Sequence, residues 1–278
     1  MQALPQAAFL LLLEAAAGGT IALFWIHARG EVNRGFTLFT GICFLVCGGL
    51  AIWLRTVFPP LAGAADVIAI SQSDPALWFA VERTLSIAFV VLLAVYLIGY
   101  GGQSWRGLVR LIGPVVPLLG LASLWSAALV TPSTQLLGLG EPLSVLAGAM
   151  ALGSALAGLS LGHWYLVSPT LSIRPLIQLT FLCIGALAAQ ILLLPLLLLL
   201  PGFSAGHLQS LFSDYLIFFG VRIVFGLLVP LATAVMTWRT ARIRSLDSAT
   251  GLLYIVSALV LAGEIAARTL FFLSGIAT

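Results

Sequence analysis

The sequence predicts an all-α integral membrane protein of eight spans. Three observations carry this. Of 278 residues, 61% are hydrophobic and only 8% are charged, whereas a soluble domain carries about 25% charged residues. Eight apolar stretches reach the roughly 20 residues needed to cross a hydrocarbon core of about 30 Å. There is no Lys, and most of the Arg lies in alternate connections between those stretches.

The predicted spans cover residues 6–27, 35–57, 77–100, 108–130, 142–166, 175–200, 212–237 and 250–274. Pro and Gly punctuate the connections: Pro59-Pro60, Pro114, Pro132, Pro169, Pro175 and Pro201-Gly202. The longest connection, 58–76, holds Asp66 and Asp74 and reads as a short surface helix. The N-terminus, MQALPQ, has no basic region and no cleavage site, so the first apolar run reads as a retained helix rather than a signal peptide. The chain is one polytopic domain, 1–278, with no soluble segment large enough for a catalytic domain.

Arg sets the expected orientation. Connections 1–2, 3–4, 5–6 and 7–8 carry Arg29, Arg34, Arg106, Arg110, Arg174, Arg239, Arg242 and Arg244, while the even connections carry at most Arg55, at a helix edge. The positive-inside rule then puts the odd connections in the cytoplasm and both termini on the extracytoplasmic side of the cell (inner) membrane. A faint repeat suggests two four-helix halves, 1–135 and 140–278. His27/His163, Cys43/Cys183 and Arg83/Arg222 recur at offsets of 136, 140 and 139 residues. Four helices per half would make these parallel repeats about the membrane normal.

Charged side chains inside predicted spans are the chemically informative feature. A charge at the centre of a span costs about 2.5–3.5 kcal/mol on insertion scales. Glu264 and Arg268 stand four apart in the last span, on one helix face, with the acid N-terminal. Glu14, Glu82, Arg83 and Arg222 fall at comparable depth on the same predicted side. Two readings are open. Either the six are assembly ion pairs, or they line a polar cavity in which Glu14, Glu82 and Glu264 carry protons and Arg83, Arg222 and Arg268 hold an anionic or carbonyl group.

The remaining motifs point less sharply. His27 and His163 lie at similar depth, each beside a Trp, and could in principle be axial ligands to one b-type haem; the alternative is interfacial residues in Trp-rich belts. His207, in a predicted outer loop, does not complete a four-His dihaem set. Cys43, Cys47 and Cys183 read as packing thiols, with no zinc or iron–sulfur spacing. Gly18, Gly19, Gly148, Gly153, Gly158 and Gly162 allow close helix approach. No nucleotide loop, metal motif or nucleophile triad is present, so no catalytic residue is assigned.

The closing GEIAARTLFF (Gly263, Glu264, Arg268, Phe271) resembles the end of the membrane anchor subunit of bacterial dimethyl sulfoxide reductases. More loosely, it is similar to the polysulfide-reductase (NrfD-like) anchor superfamily. The early EAAAGGTIALFW (Glu14, Gly18, Gly19) looks like the first helix of the same group. The resemblance implies a haem-free, non-catalytic subunit that binds a quinone or quinol (menaquinone or ubiquinone) near the outer leaflet. It implies as partners an iron–sulfur subunit and a molybdopterin catalytic subunit on the extracytoplasmic side, and a role in respiratory electron transport. On the residues alone, a small-solute or ion transporter using the same charges stays open, as do a haem-binding membrane subunit and a purely structural one.

Overall fold

A computed structural model describes residues 3–60, 75–102, 105–130, 135–167, 171–199 and 205–278. Asp66, Asp74, Pro132, Pro169, Pro201 and Gly202 lie outside the described residues. All regular structure among the described residues is helical: α1 (Ala3–His27), α2 (Arg34–Val57), α3 (Pro75–Gly102), α4 (Arg106–Ile112), α5 (Val115–Val130), a 3₁₀ turn (Gln135–Gly138), α6 (Gly140–Val167), α7 (Arg174–Leu199), α8 (Ala205–Ser213), α9 (Leu216–Gly220), a π-helical segment (Val221–Leu228), α10 (Val229–Arg242) and α11 (Leu246–Ser274). Eight of these, with α4–α5 and α9–α10 each counted as one, are long and apolar enough to cross a membrane.

Local chemistry explains the boundaries. Asn33 caps α2, its side-chain oxygen accepting from the Phe36 N–H at 2.8 Å. The fourth span breaks at Gly113-Pro114, where Pro has no N–H to continue the ladder. The seventh span starts at Leu216 rather than at 212, because a turn at Asp214-Tyr215 separates it from α8. His207, expected in a loop, belongs to α8. Within the seventh span the Val229 N–H bonds back five residues, to the Val224 carbonyl. Pro230 follows at once; its ring would collide with the carbonyl four residues back, at Gly226, and the wider π turn relieves this.

The two halves share a packing order. In the first, α1 packs on α2, α2 on α3, α3 on α5 and α5 on α1. In the second, α6 packs on α7, α7 on the seventh span, the seventh span on α11, and α11 on α6. Any up-and-down four-helix bundle has this order, so it establishes a common architecture rather than descent. The positions that suggested a repeat differ in surroundings: Arg83 and Cys43 are exposed, Arg222 and Cys183 buried.

The halves join through α1 and α6. Their most apolar windows are 72% and 67% buried, against 33% for five of the other spans. Glycine makes the contact close: a Cβ on Gly18 would lie 1.8 Å from the Ala149 carbonyl oxygen, and one on Gly153 2.0 Å from the Gly18 carbonyl carbon. Conversely, α2 turns Phe39, Ile42, Val46, Leu50 and Trp53 outward, while its polar Thr37, Thr40 and Arg55 face inward with Phe36, Gly41, Phe44, Gly48 and Ala51. An apolar exterior over a more polar interior is the pattern of a helix facing lipid.

Candidate functional site

The six charges predicted from the sequence fall into two groups rather than one. Four of them, Glu14, Arg222, Glu264 and Arg268, meet where α1, α6, α7, the π segment and α11 converge. Arg268 is fully buried, and each of its three guanidinium nitrogens faces a different carboxylate. Nε lies 2.8 Å from Glu14 Oε1, Nη1 2.8 Å from Glu141 Oε1, and Nη2 3.2 Å from Glu264 Oε2. Arg222 donates from Nη1 to Glu264 Oε1 at 2.9 Å and from Nη2 to the Thr278 main-chain oxygen at 3.1 Å. Gln190 adds a third bond to Glu264, from Nε2 to Oε1 at 3.0 Å. Ser144 accepts from Arg268 Nη2 at 3.2 Å and donates to the Thr278 oxygen at 2.9 Å.

The backbone makes room for these groups. A Cβ on Gly148 would sit 2.5 Å from Glu264 Oε2, so this glycine houses the carboxylate rather than only easing helix contact. Gly226 and Gly263 bring the π segment onto α11. Gly275 adopts a left-handed conformation, φ 73°, and ends α11 with its N–H on the Phe271 carbonyl. The chain then folds back into the bundle: the Ala277 N–H donates to Gln135 Oε1 at 2.6 Å, and Thr278 reaches Arg222.

The second group lies on a different face of α1. Glu82 of α3 pairs with Arg55 of α2, from Nη2 to Oε2 at 2.6 Å and from Nε to both oxygens at 3.0 and 3.2 Å. Both side chains are buried, at 6% and 1% exposure. Arg55 also donates to Gln6 Oε1, and its guanidinium lies 4.3 Å from the Phe9 ring centroid and 5.5 Å from that of Phe79. Gln6 in turn donates to the Phe58 and Pro59 carbonyls, both at 3.1 Å. Arg83, next to Glu82, is exposed. A cavity of about 130 Å³ opens here, lined by Phe9, Ile52, Arg55, Thr56, Phe79, Glu82, Arg83 and Ser86 among others. Phe9 and Glu14 are five residues apart, which puts them about 140° apart around α1. That angle is why one set of depths resolves into two sites.

Sequence reading passed over Glu141, which stands just ahead of the span predicted from 142, and over Arg55, read as a helix edge. It also passed over Gln6, Gln190 and Ser144, because neutral polar side chains raise no alarm in an apolar run. The histidines do not share a setting. His27 sits against Thr37 (Nδ1 to Oγ1, 3.5 Å) and edge-on to Tyr100, and it faces a crevice of about 700 Å³ with Tyr96 and Arg110. His163 is exposed and does not line that crevice, so the crevice supplies one imidazole rather than an axial pair. Among the described residues no group of three or more His, Cys, Asp or Glu could hold a metal ion.

Fold and site together define an eight-span helical membrane protein with a buried carboxylate–guanidinium network and a separate ion pair at the wall of a small cavity. The chain matches no family model, no curated protein and no solved structure.

Proposed function

We propose that this chain is the quinone- or quinol-interacting membrane subunit of an oxidoreductase complex, with the ring site in the Arg55–Glu82 cavity. The carrying observation is the match of that cavity to a substituted aromatic ring. Its volume is about 130 Å³, and an engineered cavity of about 150 Å³ in another protein accepts benzene. Phe9 and Phe79 supply flat apolar walls, Arg55 and Ser86 supply donors suited to a ring carbonyl, and Thr56 Oγ1, which donates to the Trp53 carbonyl, offers an acceptor for a ring hydroxyl.

The residues divide the work by chemistry. Arg55 holds the Glu82 carboxylate in one orientation, so that an oxygen of Glu82 can take or give a proton at the ring oxygen. Ser86 faces the cavity and shares a 2.7 Å hydrogen bond with buried Ser123, which extends a hydroxyl path into the bundle. Reducing a quinone takes two electrons and two protons. The chain holds no redox centre of its own in this reading, so the electrons pass through an iron–sulfur partner, with a molybdenum catalytic subunit beyond it. The positive-inside bias puts the cavity toward the extracytoplasmic side of the cell membrane, where such partners would dock. The two halves would be a 4+4 repeat in which only one half keeps the ring site.

The test is binding of a short-chain quinone to the purified protein in lipid nanodiscs, read by tryptophan quenching. Ile52→Trp fills the cavity without touching a charge. It should weaken binding at least tenfold and leave the unfolding midpoint in place. Unchanged affinity in a folded Ile52→Trp variant would overturn the assignment.

A further inference from the structure

The Arg268 network contains more acid than base. Glu14, Glu141 and Glu264 face Arg222 and Arg268, and all five side chains are at most 1% exposed. α1 contributes Glu14, α6 contributes Glu141 and Ser144, and α7 contributes Gln190. The π segment contributes Arg222, and α11 contributes Glu264 and Arg268. The last residues add a main-chain oxygen, which is a further acceptor. α5 contains no charged residue, and the α2 cation, Arg55, is engaged by Glu82 and Gln6. An unpaired charge in such a site is far costlier than a neutral acid.

The three carboxylates are not equally served. Glu264 accepts from both arginines and from Gln190. Glu141 accepts an aligned bond from Arg268 Nη1 through Oε1. Glu14 accepts none. Its Oε1 is 2.8 Å from Arg268 Nε, but that N–H is not aimed at it, and both Glu14 oxygens and the Arg268 Nε lack a hydrogen-bond partner. Glu14 therefore loses least by being neutral.

We propose that this network is a proton-binding site that holds one proton on Glu14 at neutral pH, in the seam between the two four-helix halves. Glu141 Oε2, the other carboxylate oxygen of the network without a partner, is the second position open to the proton. The site is separate from the Arg55–Glu82 cavity and does not rest on the quinone reading. It gives the seam a group that can exchange a proton and thereby couple protonation to how the halves pack.

Infrared spectroscopy of the protein in nanodiscs, with H₂O/D₂O exchange, tests this. Wild type should show the carbonyl stretch of one buried carboxylic acid. Glu14→Gln should abolish the band, and Glu14→Asp should shift it, because the acid is kept but moved. A band that neither variant alters, or no band in wild type, would overturn the proposal. Stability supplies a second readout. Glutamine closely mimics a protonated glutamate, so Glu14→Gln should keep the unfolding midpoint. Glu264→Gln strips both arginines of their shared partner and should lower it by on the order of 10 °C. An equal loss in Glu14→Gln would contradict a neutral Glu14.

Discussion

Gly226 and Gly263 meet with no side chain between them: a Cβ on Gly263 would lie 2.1 Å from the Gly226 Cα. This contact joins the π segment to α11, one residue from Glu264 and four from Arg222. The backbones thus come close together beside the Arg222–Glu264 pair, which spans 2.9 Å. Pro230 has a part in this, because the π turn ahead of it sets the face on which Arg222 emerges.

Replacing either glycine by alanine should therefore force the helices apart. Gly263→Ala is expected to cost about 3 kcal/mol or more, at the upper end of overpacking. Gly251→Ala, on the same helix with nothing within 4 Å of a Cβ, should be neutral or stabilise by a few tenths to 1 kcal/mol. Unfolding midpoints of the two variants in the same detergent give the comparison.

Arg268→Lys should behave as a disruptive change. The guanidinium faces three carboxyl groups with its three nitrogens in one plane, and an ammonium on a flexible stem cannot reproduce that fork. We expect a loss of about 3–5 kcal/mol, as for breaking a buried pair. The measure is thermal unfolding beside Arg83→Lys, which changes an exposed residue and should stay within about 0.5 kcal/mol of wild type.

The position of these charges along their helices was legible in the sequence; the side each one faces was not. A run of apolar residues with one Glu tells how far along a helix the charge sits, so Glu14, Arg222, Glu264 and Arg268 could be grouped before any fold was known. The same reasoning added Glu82 and Arg83, for which it expected a comparable depth but which lie on the α2–α3 side of α1. Boundaries account for the omissions. Glu141 precedes an apolar run and drew no reading, and Arg55 ends one and read as a helix edge, although both are buried. The inward turn at Gly275 has no sequence signal beyond one glycine after a helix, yet it brings Thr278 to Arg222.

Orientation can be tested directly. The native cysteines all lie within spans, so single cysteines can be introduced in a cysteine-free background. A membrane-impermeant thiol reagent applied to intact cells should label a Pro60→Cys variant and spare a Ser245→Cys variant until the membrane is opened. The reverse pattern would turn the protein over and move the Arg55–Glu82 cavity to the cytoplasmic side.

Removing the acid at the cavity should separate binding from proton transfer. Glu82→Gln leaves the Phe9 and Phe79 walls in place, so ring binding should fall by no more than a few-fold. Quinol oxidation by the assembled complex should drop on the order of 100-fold, the scale of a lost general base. Equal losses in both measurements would mean that Glu82 only holds Arg55.

The most direct measurement is photolabelling with an azido-quinone of the protein in nanodiscs, followed by peptide mapping and competition with unlabelled quinone. Competed label is expected on the segments around Phe9, Ile52–Thr56 and Phe79–Ser86. Label confined to the large apolar groove along α6 and α7, where Met150, Phe181 and Leu193 line about 780 Å³, would contradict it, as would label that excess quinone fails to remove.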